Sequence, residues 1–394
     1  MKVLILTAVP FPNGMAPTNR IKCYAKALIS QQVDCEVVCF RRSDIATNVV
    51  ARGVCEGVPF RYIGKNSLRS KNKYIGRLED IIDHLNLLFF LLFNVTKNTI
   101  VFSYGSTLYY GNILITVTHL KRGIFVRDLV EIPNVTDNDT PKQKKIRELE
   151  LSKQFPRYDG VIAISEALEK LSVKYMSKSN TVLKVPILVD YEKYCLEDTS
   201  DLSEKLYIFH SGTLTEQKDG FAGMIEAFGI AASKMDRPIC FYSTGNLSKS
   251  KNEKQIKELI NKYRIEDRVK FLGYLSDEEL RNYIKGASLV IINKYKTEQN
   301  IYCFSTKLGE YMAAGKPVII TNVGEAMNWL TDQKDSYIVE PENAQNLSEA
   351  IMTLLSDDIL RKKIANNGRS TCKKCFDYYN YGKALVDFFK SLQK

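Results

Sequence analysis

The residues of this chain best suited to chemistry sit where apolar runs give way to helix-patterned ones. The richest stretch is Phe304-Ser-Thr-Lys-Leu-Gly-Glu-Tyr-Met-Ala-Ala-Gly-Lys-Pro-Val-Ile-Ile320. Ser305 or Thr306 stands where a helix would be capped, Lys307 falls in the first turn, and Glu310 follows one turn later. Unpaired amides at a helix start, with a lysine beside them, suit a phosphate. Glu310 lies off the stripe made by Leu308 and Met312, which places its carboxylate to accept hydrogen bonds from a ribose diol. Gly315 then ends the helix, and Pro317 prevents its continuation into the next apolar run.

The second stretch is Phe209-His-Ser-Gly-Thr-Leu-Thr-Glu-Gln-Lys-Asp-Gly220, where a strand is expected to end at Gly212 and Lys218 to arrive just before a helix. A lysine there opposes the helix dipole, but it suits a bound pyrophosphate, because a charge-assisted hydrogen bond contributes ~1.5–3 kcal/mol. The competing reading is a solvated surface lysine. The first loop, Val9-Pro-Phe-Pro-Asn-Gly-Met-Ala-Pro17, carries Gly14, which lets the backbone approach a ligand, and it leads to Thr18 as an N-cap. Asp128 and Glu131 end another apolar run, where a carboxylate would orient or deprotonate an acceptor hydroxyl, or else cap the following loop. His210 adjoins the phosphate loop. His84 falls in an apolar helix as a structural residue, and His119 lies at the wrong end of a strand.

The elements that must position these residues follow from periodicity. Apolar runs at Lys2–Ala8, Glu36–Phe40, Thr99–Tyr104, Gly123–Asp128, Gly160–Ser165 and Thr181–Pro186 alternate with helical patterns at Thr18–Gln31, Pro141–Phe155 and Glu166–Met176. A second series follows at Leu206–His210, Ile239–Ser243, Val269–Leu272, Leu289–Ile292, Val318–Thr321 and Tyr337–Val339. Alternation of this kind predicts two α/β domains, each a doubly wound parallel sheet covered by helices. They are expected at 1–190 and 191–377, with the polar stretch Tyr191–Glu204 as linker and an amphipathic terminal helix over 378–394.

Length and composition suit this reading. The 394 residues are ~100–200 per domain for two domains, and 11 Pro with 21 Gly exclude a fibrous or disordered chain. Nine scattered cysteines, Cys372-Lys-Lys-Cys375 among them, suit a reducing cytosol better than a disulfide framework or a zinc site. The start MKVLILTAVPFP reads as a first strand, not a secretory signal, so the Asn94 and Asn134 sequons carry no meaning and a cytoplasmic location is expected. Neither a G-x-G-x-x-G after a strand nor a P-loop is present, which disfavours a dehydrogenase or an NTPase.

The net charge of +11 is uneven. Up to Asp190 there are 27 Lys and Arg against 17 Asp and Glu, and beyond it 29 against 28. A basic first half points to an anionic partner, a membrane surface or a phosphate-bearing acceptor. No nucleic-acid motif accompanies it. Ile81–Phe93 is apolar but shorter than the ~20 residues of a bilayer span. It reads as a helix buried against the sheet, or as an interfacial helix drawn by Arg69, Lys71, Lys73 and Arg77.

Taken in order, the motifs resemble the retaining GT-B glycosyltransferases of family four. The matching residues are Ile162-Ala-Ile-Ser165, Val185-Pro-Ile-Leu-Val-Asp190, Gly212-Thr-Leu214 with Lys218-Asp-Gly220, Val269-Lys-Phe-Leu-Gly273, and Glu310-Tyr-Met-Ala-Ala-Gly-Lys-Pro-Val-Ile319. The resemblance spans almost the whole chain. It implies a GT-B fold, two Rossmann-like domains facing each other across a cleft, with the acceptor in the first and a nucleotide-sugar donor in the second. It also implies retention at the anomeric carbon, no cofactor and no metal, and a last helix that returns to the first domain. The expected acceptor is a glycan or polyprenyl-linked glycan of cell-surface polysaccharide synthesis.

By this resemblance Lys218 binds the diphosphate, Glu310 the ribose, and the amides of Ser305, Thr306 and Lys307 the phosphates. Gly14 closes over the donor phosphate, and Gly212, Thr213 and Gly245 line the donor site. Four features depart from the family pattern: Tyr302 replaces the first Glu of its E-x7-E motif, Thr213 its usual Arg, Pro186-Ile-Leu-Val-Asp190 its P-N-G-V-D, and the first loop has one Gly where two are common. Asp137-Asn-Asp139 imitates a D-x-D metal motif that belongs to a different glycosyltransferase fold. Two alternatives stay open: a GT-B-like nucleotide-sugar-binding protein without turnover, and a GT-B sugar-nucleotide epimerase.

Overall fold

Val3, Leu4, Ile5 and Leu6 are fully buried, so the first strand runs through the middle of a core and not along an edge. The structure is a computed structural model that describes residues 1–105, 108–133, 140–177, 181–195, 206–212 and 214–393. The chain divides into two units, Met1–Leu188 with Tyr378–Lys394, and Val189–Asp377. Tyr191–Tyr194 form a helical turn of the second unit with both tyrosines buried, where the sequence reading began a linker. Residues 196–205 of that stretch lie outside the described residues.

Among the described residues unit 1 holds eight strands: β1 (Lys2–Thr7), β2 (Asp34–Cys39), β3 (Arg52–Cys55), β4 (Val58–Tyr62), β5 (Thr99–Tyr104), β6 (Ile124–Leu129), β7 (Gly160–Ala163) and β8 (Val182–Lys184). Their order is β3-β4-β2-β1-β5-β6-β7-β8, parallel except for the β3–β4 pair. That hairpin was not expected. β3 is a half-exposed edge strand with no apolar run, and its turn places Glu56 and Gly57 at φ of 50° and 80°, the left-handed pair that a two-residue hairpin needs.

The terminal helix Gly382–Ser391 lies in unit 1. It buries Leu385, Phe388 and Phe389 in the same core as β1 and the Ala16–Ser30 helix, with the Phe389 ring 5.8 Å from Phe102.

The Lys73–Asn94 helix corrects the reading of a buried helix. Gly76, Asp83, Leu87 and Leu91 are buried, and His84 packs its ring on Tyr110. Tyr74, Leu78, Ile81, Ile82, Leu85, Phe89 and Phe93 form an exposed apolar stripe on the other side, and Phe93 is 83% exposed. Among the described residues no helix is long and apolar enough to cross a membrane.

Unit 2 holds β9 (Leu206–His210), β10 (Ile239–Ser243), β11 (Val269–Phe271), β12 (Leu289–Ile292), β13 (Val318–Thr321) and β14 (Tyr337–Val339). Among the described residues all are parallel, in the order β11-β10-β9-β12-β13-β14. β12 and β13 are buried at every residue, as strands covered on both faces must be.

Candidate functional site

In unit 2 the strand order reverses between β9 and β12, and open α/β sheets bind ligands at strand carboxyl ends beside such a switch. The segments leaving these two strands carry Ser211 and Gly212 after β9, and Asn293 and Lys294 after β12. His210, the last residue of β9, is fully buried. Its Nδ1 lies 3.1 Å from the Ile291 carbonyl, which can only accept, so Nδ1 bears the proton. Burial, reinforced by the Lys307 charge, lowers the imidazole pKa to about 4. The ring is therefore neutral at pH 7, and Nε2 is a buried acceptor without a hydrogen-bond partner among the described residues.

Charges gather around the same loop. Lys307 Nζ lies 2.5 Å from Asp219 Oδ1. Burial alone would raise the Asp219 pKa, but Lys307 and Lys294 hold it well below the usual carboxylate range. Lys294 is half-buried, and desolvation lowers its own pKa; its Nζ donates to the Lys218 carbonyl at 2.9 Å. A side chain on Gly212 would put its Cβ 2.5 Å from His210 Nε2, 2.9 Å from Lys307 Nζ and 3.0 Å from Asp219 Oδ2. Three polar groups thus converge on the Gly212 backbone, and any larger residue would collide with all of them.

Hydrogen bonds fix this loop on two sides. The Ser211 amide donates to Tyr311 Oη at 2.7 Å, which ties the loop to the Lys307–Ala313 helix. The Gly212 amide donates to Thr244 Oγ1 at 2.8 Å, and Gly245 follows with φ of 94°, its amide donating to the Gly273 carbonyl at 2.9 Å. Gly212, Gly245, Lys307 and the residues around Asp219 therefore form one locus.

Other expected residues stand differently. Lys218 is exposed and belongs to a four-residue helix, Glu216–Asp219, separated by left-handed Gly220 from the long helix it was expected to precede. Thr306 occupies the cap position with helical dihedrals and makes no capping bond through its side chain. Ser305 is half-buried, and its carbonyl accepts from the Leu308 amide at 3.1 Å. Glu310 does not sit on an open face. The helix is buried from Leu308 to Ala313, Glu310 included. Gly315, at φ of 66°, ends it as the sequence required. Thr213, Asp137 and Asp139 lie outside the described residues.

In unit 1, Asp128 is not an available base. It is 2% exposed, its carboxylate meets Arg20 Nε at 3.2 Å, and it accepts from Tyr24 Oη at 2.9 Å. Arg20, itself buried, also donates to the Pro186 carbonyl at 2.6 Å. Burial opposes the Arg20 charge, but Asp128 holds its pKa above the ordinary value. Two committed partners make Asp128 an internal tie. Glu131, beyond β6, is exposed. Gly14 is required by Thr18, whose Oγ1 would lie 2.0 Å from a Cβ there. Thr18 is inside the helix and bonds the Pro10 carbonyl at 2.8 Å, so it is not the cap. His119 pairs with Asp159 at 2.9 Å, at the amino ends of β6 and β7.

Sequence reasoning passed over Asp219 and Lys294. Asp219 was quoted only as the neighbour of Lys218, and the signal for Lys294 was its place just past a buried strand.

Residues 197–371 match the family described as glycosyl transferases group 1. An uncharacterized glycosyltransferase of Methanocaldococcus jannaschii is 25% identical over 187 residues, 48% of this chain and 45% of that protein. The capsular polysaccharide biosynthesis glycosyltransferase CapM of Staphylococcus aureus is 25% identical over 257 residues, 59% of this chain and 62% of its own. The chain thus spans about half the length of these curated relatives. Anabaena Alr3699/HepE, solved in complex with UDP-glucose, superposes with a TM-score of 0.73 at 17% identity, covering 99% of this chain and 100% of that one. A likeness of that extent, over two doubly wound sheets in one chain, makes the fold GT-B. Residues 197–371, the greater part of unit 2, are thus similar to the glycosyl transferases group 1 family.

Proposed function

We propose that this protein is a retaining glycosyltransferase that takes a hexosyl or related sugar from a nucleoside diphosphate donor held at the carboxyl ends of β9, β10 and β12. The observation that supports this most is the convergence of His210 Nε2, Lys307 Nζ and Asp219 on the Gly212 backbone. A diphosphate leaves carrying negative charge, and preorganised cations stabilise that charge where it develops. Lys307 and Lys218, with half-buried Lys294 beside them, supply it in this reading, so the leaving group is neutralised by lysines and not by a divalent cation. Unpaired His210 Nε2 accepts from a donor hydroxyl, and Glu310 holds the ribose. Glu131 orients the acceptor hydroxyl. Anabaena Alr3699/HepE in complex with UDP-glucose supports a nucleotide-sugar donor, and CapM supports a role in polysaccharide biosynthesis.

The acceptor in this proposal is a glycan on a lipid carrier, met at an anionic bilayer. The exposed stripe from Tyr74 to Phe93 supports it, as do exposed Lys71, Lys73 and Arg77 at its start. An amphipathic helix of this kind lies in the headgroup region, with apolar burial and charge attraction adding together. A thermal-shift screen of UDP, GDP, ADP and dTDP tests the donor reading. One nucleotide at ~100 times its Kd would add ~2.7 kcal/mol of stability, and no shift with any of them would refute it.

A further inference from the structure

Arg127 is a buried cation with no ion pair among the described residues. It is the fourth residue of β6 and 8% exposed, and neither Nε nor Nη1 has a hydrogen-bond partner. Its register partner in β5 is Ser103, fully buried, whose Oγ is also without a partner. Register partners of neighbouring parallel strands project to one face, so the two unsatisfied groups lie side by side. The adjacent carboxylate, Asp128, is on the opposite face and belongs to Arg20 and Tyr24.

Among the described residues no carboxylate contacts Arg127, although the charges of Glu131 and Arg127 are both felt at Tyr104. The Phe125 and Tyr158 rings stack 5.9 Å apart on the Arg127 side of the sheet, and Tyr158 Oη already donates to Gln154 at 2.9 Å. The charges of Glu150 and Arg127 are both felt at Tyr158, but no ion pair joins the two among the described residues. A guanidinium cannot relieve burial by losing its proton. Buried charges are kept where something pairs with them, and here guanidinium N–H groups without a partner, beside a hydroxyl, suit an oxyanion.

We infer that Arg127 and Ser103 form an anion subsite of unit 1 that reads a phosphate ester or a sugar carboxylate on the acceptor. The assignment of the anion to the acceptor rests on the transferase reading. The subsite itself does not.

The test uses the full chain in a Lys307→Met background, which removes the phosphate contact of unit 2, and in the unaltered protein saturated with UDP. Thermal shifts are recorded against glycerol 1-phosphate and against glucuronate. One of the two anions is expected to raise the melting temperature saturably, and which one identifies the acceptor chemistry. Arg127→Met should raise its half-saturating concentration at least tenfold, and Ser103→Ala about threefold. Without anion, Arg127→Met should melt no lower than its parent, because it removes an unpaired buried charge. A clearly lower melting temperature would make Arg127 structural and overturn the proposal. So would equal shifts in parent and variant, or no shift with either anion. Failure of UDP to bind would sink the donor reading alone, since the Lys307→Met titrations do not depend on it.

Discussion

Lys307 Nζ and Asp219 Oδ1, 2.5 Å apart, join the first residue of one helix to the last residue of the short helix after β9. Asp219 is 6% exposed, so the pair holds a cation beside Gly212 in advance of any ligand. An incoming phosphate then meets a lysine already oriented, without the entropy cost of ordering a long side chain.

Removing the cation should separate binding from stability. Lys307→Met leaves buried Asp219 without its ion-pair partner, a loss of roughly 1–3 kcal/mol once the partial exposure of Lys307 is discounted. Lys307→Met with Asp219→Asn should recover most of that stability, yet nucleotide affinity should stay about tenfold or more below the parent. Denaturant melts and nucleotide titrations of the single and double variants check this. Full recovery of affinity in the double variant would exclude Lys307 as a phosphate contact.

His210 sets an acid limit. Its folded pKa, about 4, lies below the ordinary value of 6.5, so between these two values the unfolded chain binds the extra proton. Stability should therefore fall as pH drops from about 6.5 to 4, by up to roughly 3 kcal/mol. Asp219, depressed well below its usual range, stays ionised throughout that window. His210→Gln should flatten the profile between pH 6.5 and 4 in equilibrium unfolding. An unchanged profile would mean that His210 is not buried neutral.

Glu310→Gln keeps the shape of a buried side chain and removes its charge. The stability change should stay within about 1 kcal/mol, while the donor KM rises by an order of magnitude or more, the ~1.5–3 kcal/mol of a charged hydrogen bond. The nucleotide-induced rise in melting temperature should shrink with it. Unchanged kinetics and an unchanged shift would remove Glu310 from the donor site.

The exposed stripe from Tyr74 to Phe93 should bring the protein down with vesicles containing phosphatidylglycerol and leave it in solution with phosphatidylcholine alone. Salt should weaken the binding, as screening shortens to about 3 Å at 1 M. Replacing Leu85 and Phe89 by Ser should reduce it at least tenfold. Equal binding to neutral vesicles would refute the charge contribution, and self-association through this face would appear instead as dimers in sedimentation.

Much of the fold was legible because strands buried on both faces announce themselves as unbroken apolar runs. Leu206–His210, Ile239–Ser243 and Leu289–Ile292 were read with the boundaries the structure has. The β3–β4 hairpin escaped because half of β3 faces solvent and its signal is a turn, not a run. The apolar count of Ile81–Phe93 could not say which faces are covered, and tertiary packing left one bare. In the site, local spacing singled out Gly212 and Lys307. It gave no sign that Asp219 would take Lys307 from 88 residues away, or that Asp128 would be claimed by Arg20 across 108. Pairings between distant segments are set by topology, and their partners carry no mark in the local sequence.

The most direct test of the whole account is release of nucleoside diphosphate from nucleotide-sugar donors, measured with EDTA present. The account predicts slow release from at least one donor without acceptor, and a fall of at least tenfold in Lys307→Met. No release from any donor, with nucleotide binding intact, would contradict a transferase and leave a binding protein. Release that requires added Mn²⁺ would contradict neutralisation of the leaving group by lysines.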